Sequence, residues 1–229
     1  MDSSLALLRL LQLCNSSLPV GAYSYSEGLE TLCAETVYSQ ANIQTAEDLE
    51  VWLRDELEHG SIRIEAAVMH RTYLAWQVQD GETLRYWRDW YAASRETEEL
   101  RQQSLQMGRS LIKLLVSLEP DGDFSAVDAQ LCHYPSAFGI AAAYWQTGAD
   151  LALLGYLQGW VVNLVNAGVK LIPLGQTQGQ QIIANLGQAV ADAQAVVMRW
   201  TDDEMESNSW GLQIASMAHE TLYSRIFRS

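Results

Sequence analysis

Apolar residues recur along this chain at helical spacing. In TAEDLEVWLRDELEH (residues 45–59), Leu49, Trp52, Leu53 and Leu57 fall on one face, and Thr45 with Asp48 three residues on has the spacing of a capping box. In ETEELRQQSLQMGRSLIKLLVSL (96–118), Leu100, Met107, Leu111, Leu114 and Leu118 form a second stripe, with Ser104 as its polar interruption. A third stripe runs through Ile183, Leu186, Val190, Ala193 and Val197. No stretch combines strict alternation with β-branched residues and a hairpin dipeptide. The pattern predicts an all-α chain, a multi-helix bundle.

The most apolar stretch, DLALLGYLQGWVVNLVNAGVKLI (150–172), has the length of a membrane span. Gln158, Asn163, Asn166 and Lys170 recur along it, however, and each is costly in hydrocarbon, so it reads as a buried helix. Gly155 and Gly159, four apart on one face, would let another helix approach closely, while Gln158, Asn163 and Asn166 would need hydrogen-bond partners if buried. Breaks fall at 14–28, near Gly60, and at 79–82, 118–124, 132–136, 147–150, 173–176 and 201–209. None has the length or low complexity of an interdomain linker, so residues 1–229 read as one domain.

Composition narrows the choice of partners. With 229 residues and 48% hydrophobic content the chain can bury a sizeable core, and a net charge of −14 sets up a field that repels nucleic acid and anionic lipid. Three widely spaced cysteines, Cys14, Cys33 and Cys132, do not form a disulfide framework, which fits a reducing cytoplasm. No basic segment precedes the apolar LALLRLLQL, and Arg9 and Gln12 interrupt it, so neither a signal peptide nor an anchor is expected. Tyr86, Trp87, Trp90 and Tyr91 cover both faces of one helical turn and read as packing residues.

Catalytic and metal motifs are incomplete. HETLY (219–223) begins like a zinc-protease helix but has Tyr223 where the second histidine belongs. Glu56 and His59 give a single E-x-x-H where a di-iron bundle needs two, and Ser110 to Lys113 matches S-x-x-K without its companion motifs. No phosphate-binding glycine loop is present, and Cys132 with His133 lacks a second ligand pair. The stretch VKLIPLGQTQGQQI (169–182) carries Lys170, one of two lysines in the chain, beside a Pro-Gly turn, yet has no catalytic equipment.

Five stretches carry a likeness to a known family: LPVGAYSYSEGLE (18–30), RQQSLQMGRSL (101–111), YPSAFGIAAA (134–143), NAGVKLIPLGQTQGQ (166–180) and MAHETLYSRIFRS (217–229). Together, and in order, they resemble the UreF family of urease accessory proteins. The resemblance implies an all-α, dimeric, cytoplasmic chaperone without a reaction, cofactor or metal site of its own. It would act in nickel delivery to apo-urease by joining the UreD/UreH scaffold and recruiting and gating the GTPase UreG. Carried over by position, Lys170, Pro173, Gly175 and Gln176 look toward the GTPase. His219, Glu220, Tyr223, Arg225, Phe227 and Arg228, in a tail at about 217–229, look toward the scaffold, and Pro19, Gly21 and Gly28 form a structural turn. Ala22 replaces an expected second glycine, and Ala218 stands where the family often has a basic residue.

Two readings of the tail follow. It folds back on its own domain, or it orders on UreD/UreH with Tyr223 and Phe227 as anchors and the arginines at the rim, in which case its removal leaves folding unchanged. The rivals for the whole chain are a metal-dependent helical-bundle enzyme using His59 or His133, and a scaffold protein of another complex.

Overall fold

The computed structural model describes residues 3–34 and 42–229, in which eleven α-helices and two short 3-10 turns account for all regular structure. The helices are α1 (Ser3–Leu13), α2 (Leu29–Cys33), α3 (Ala46–His59), α4 (Ile62–Gln77), α5 (Gly81–Ser94), α6 (Glu98–Leu118), α7 (Tyr134–Tyr144), α8 (Ala149–Leu171), α9 (Gln176–Asn185), α10 (Gly187–Val197) and α11 (Trp210–His219). The fold class is all-α, as the periodicity predicts. Helix starts follow local chemistry: the capping box at Thr45 and Asp48 forms, Asp80 accepts from the backbone of Glu82 and Thr83, and Thr97 accepts from Leu100 N.

The centre is built on α7, whose residues 135–143 are all buried between α4 and α6. Small residues make this possible. A Cβ at Gly139 would stand 2.5 Å from the Met69 carbonyl oxygen on α4, and one at Gly108 would run into the Cys132 carbonyl on the approach to α7. Helix α8 crosses the same core, with Leu153, Leu157, Val161, Leu164 and Val165 buried. It is the one described helix long and apolar enough to cross a bilayer, and half of its most apolar window is buried within the protein.

Several details depart from the periodic reading. The stripe through residues 183–197 is not one helix: Leu186, at φ −81° and ψ −7°, caps α9 and starts α10, followed by the weak helix former Gly187. Ile182, rather than Ile183, is its buried member. On α6 the buried face continues through Ile112 and Leu115, while Leu118, on the same face but the last residue of the helix, is exposed. Gln158, Asn163 and Asn166 are half-buried, so water can complete their bonding. Gly155 does admit α1, since a Cβ there would lie 3.0 Å from Leu10 Cδ1, and 2.6 Å from Cys14 Sγ just beyond the helix; Gly159, on the same face, has nothing within 4 Å.

Candidate functional site

Four of the five stretches that carry the family likeness, 18–30, 101–111, 166–180 and 217–229, meet one another, while the fifth is the central helix α7. The 18–30 segment is a tight turn: Gly21 and Gly28 take φ of 83° and 84°, and Glu27 between them is also left-handed at 54°. At Gly21 only this dihedral demands glycine, whereas a Cβ at Gly28 would also stand 3.0 Å from Ser216 N on α11. Pro19 is exposed between the buried Leu18 and Val20. Ala22 opens the 3-10 turn Ala22–Ser24, a conformation open to any L residue, so its Cβ is tolerated.

The turn and α2 receive the C-terminal segment. Glu30, buried on α2, accepts from Ile226 N (2.7 Å) and Phe227 N (2.9 Å) and meets His219 Nε2 at 3.2 Å. His219 Nδ1 meets Glu99 of α6 at 2.8 Å, and Arg225 reaches the other oxygen of Glu99 at 2.9 Å. Both ring nitrogens of His219 therefore face carboxylate oxygens, and only the doubly protonated ring donates to both. Arg228 N donates to Ser24 O (2.8 Å), and Ser229 O accepts from Ser26 N (2.6 Å) and Ser26 Oγ (2.7 Å). Phe227 packs into the main apolar core at 5% exposure.

Of the two readings of the tail, these contacts are those of the fold-back one. His219 and Phe227 are inside this chain, because Glu30 and Glu99 satisfy the imidazole and the tail's backbone donors and the core takes the phenyl ring. Tyr223 is fully exposed, Ile226 is 68% exposed, and Glu220, Arg225 and Arg228 are also at the surface. Lys170 emerges from the last turn of α8 with Nζ 5.2 Å from the Phe227 ring centroid, a cation–π distance. Pro173, Gly175 and Gln176 follow it on the exposed α8–α9 turn, where Gly175 N donates to Gln178 Oε1. The two groups of residues assigned to different partners are thus neighbours. Trp210, Ile214 and Met217, spaced i, i+4 and i+7 on α11, are exposed as well.

Other sequence candidates are scattered. His59 is exposed, with Glu58 at 3.9 Å. His133 is buried edge-on to Tyr91, and burial together with the Arg95, Arg101 and Arg109 charges lowers its pKa to about 4. Among the described residues no three His, Cys, Asp or Glu side chains are grouped to hold a metal. The periodic reading missed Glu30, Glu99, Gln103 and Ser26, which hold the tail. The available signal was polarity out of place, since Gln103 and Ser104 interrupt an apolar stripe and both are buried.

A family model described as UreF matches residues 43–187. A urease accessory protein UreF of Nostoc is 51% identical over 224 residues, covering 97% of this chain and 95% of its own length. This chain belongs to the UreF family. UreF of Synechocystis is 44% identical over the full length of both chains, and that of Alkalilimnicola ehrlichii 36% identical over 100% of this chain and 98% of its own. These full-length matches to UreF proteins include the tail, which lies beyond the span of the family model. UreF proteins are urease accessory proteins of a chaperone type, not enzymes, which accounts for the incomplete catalytic motifs.

Proposed function

We propose that this UreF protein is the docking subunit of a cytoplasmic nickel-insertion complex for apo-urease, joining the UreD/UreH scaffold and recruiting and gating the GTPase UreG. The observation that carries this reading is the placement of Lys170 over Phe227, which fuses the 170–176 turn and the C-terminal segment into one surface. That surface offers the exposed cations Lys170, Arg225 and Arg228 on an otherwise acidic protein, with Tyr223 and Ile226 as apolar anchors. Aromatic and arginine side chains dominate interface energetics when desolvated. His219 and Phe227 support the surface from beneath, since both are turned inward.

Co-purification of exposed-residue variants tests the reading. Tyr223→Ala should weaken scaffold binding by about 2 kcal/mol, roughly 30-fold in affinity, with thermal unfolding unchanged. Lys170→Ala should lose at most about 1 kcal/mol of stability from the ring contact, keep the scaffold, and reduce GTPase recruitment and urease activation. Normal assembly and activation by both variants would sink the docking assignment.

Self-association requires a further apolar face, and we assign it to Trp210, Ile214 and Met217 on α11. Ile214→Asp is expected to yield a folded monomer in sedimentation velocity where the parent protein sediments as a dimer. A variant that still sediments as a dimer moves the interface elsewhere.

A further inference from the structure

Glu27 is a carboxylate with no place in the docking surface, yet it stands two hydrogen bonds from the end of the tail. It is 9% exposed, and its oxygens accept from Trp160 Nε1 of α8 (2.8 Å) and Gln103 Nε2 of α6 (3.1 Å). The other end of the Gln103 amide, Oε1, accepts from Ser229 Oγ, and the residue before Glu27, Ser26, donates twice to Ser229 O. The last residues therefore close directly over the groups that hold Glu27.

The surroundings set a few charged and polar groups among apolar side chains. A cavity of about 60 Å³ adjoins Glu27, lined also by Glu65, Arg95, Ser104 and Tyr156, with room for about two waters. Arg95 is paired with Glu65 at 2.8 Å, and its buried Nε has no protein partner. The ionisable groups around Glu27 are Glu65 on α4, Tyr91 on α5, Arg95 beyond it, Tyr134 on α7, Tyr156 on α8 and Cys14 after α1; α6 contributes the neutral Gln103. Arg95 is the one cation among them, and Glu65 already engages it.

We infer that docking of the C-terminal segment is proton-linked through Glu27, which takes up a proton when residues 225–229 close over Gln103 and Ser26 and releases it when they lift. Lifting Ser229 uncaps Gln103, one of the two donors that hold the carboxylate, and lets water reach it from that side; the charged form is the one that gains from hydration. With the tail docked, burial is the main cause that raises the Glu27 pKa to about 7; the Glu65 charge adds to it, and bonds from Trp160 and Gln103 and the Arg95 charge oppose it. The sign follows from the docked value being the higher one. Docking is strongest below the ordinary carboxylate range and weakens as pH rises toward and through about 7. If the open form titrates at the ordinary 4.5, the opening equilibrium grows about tenfold between pH 6 and pH 8.

The inference concerns the tail's own equilibrium and stands whether or not a partner uses that surface. Amide hydrogen exchange on the full chain tests it, read at Phe227 and Arg228, whose N–H groups bond to Glu30 and Ser24. After correction for base-catalysed chemistry, protection in the parent protein should fall about tenfold from pH 6 to pH 8. Glu27→Gln should reduce that slope and leave the tail better protected at pH 8 than in the parent. An unchanged slope in the variant, or none in the parent, overturns the inference. A carbon-13 carboxyl titration of the parent protein, which needs no variant to fold, should place Glu27 near neutrality; a midpoint in the ordinary carboxylate range overturns it equally.

Discussion

Glu30→Ala is expected to destabilise the protein by about 3–5 kcal/mol and to release the C-terminal segment. The side chain is 8% exposed, and its two oxygens serve three donors: Ile226 N, Phe227 N and His219 Nε2. Truncation leaves the buried Phe227 N–H unpaired and a fully buried imidazole facing only Glu99, and each orphaned buried donor costs about 1–3 kcal/mol, while the part-buried Ile226 N–H can turn to water. In a chain of this size the melting temperature should fall by about 10 °C. Glu30→Gln keeps one good acceptor and should lose less than half as much. Thermal unfolding with hydrogen exchange across residues 217–229 checks the result. If Glu30→Ala melts like the parent, the tail does not dock on α2 in solution. By the same logic, truncation after Ser216 should impair cooperative unfolding, because it strips partners from Glu30, Glu99, Gln103 and Ser26 together. That reverses the outcome expected for a free tail.

The helices were legible because their evidence is local. Thr45 and Asp48, or Leu49 with Leu53 and Leu57, lie within one to three turns of each other, and the period that joins them is a property of the backbone. The break at Leu186 was hidden because the buried set Ile182, Leu186, Val190, Ala193 and Val197 keeps helical spacing straight through it. The site was harder to read for a different reason. Ile226 lies 196 positions from Glu30, and Arg225 lies 126 positions from Glu99. An apolar, basic tail announces that it wants a surface without saying whose. The family likeness singled out both stretches, but only the fold brings Lys170 to Phe227 and makes them neighbours.

Gly108 provides a test of the core in which propensity and packing predict opposite signs. It lies inside α6, where an alanine would ordinarily stabilise the helix by about 1 kcal/mol. Its Cβ, however, would run into the Cys132 carbonyl and approach His133 C and Tyr134 N to 2.6 and 2.8 Å. These are backbone atoms at the entry to α7, so no side-chain rotation relieves the clash. The same entry is pinned by Tyr134 N donating to Ser104 Oγ at 3.2 Å, and α7 is wedged against α4 through Gly139, which leaves it no room to retreat. Gly108→Ala should therefore destabilise by about 3 kcal/mol, the upper range for overpacking, while pushing Tyr134 from the wall of the Glu27 cavity. Gly159→Ala is the matched control: it is also inside a helix, α8, but its Cβ would have nothing within 4 Å, so it should be neutral or stabilising by up to about 1 kcal/mol. Urea denaturation of both variants decides between the two effects. Should Gly108→Ala stabilise as Gly159→Ala does, α6 and the start of α7 are not in backbone contact, and the Glu27 cavity they enclose with α8 loses its wall.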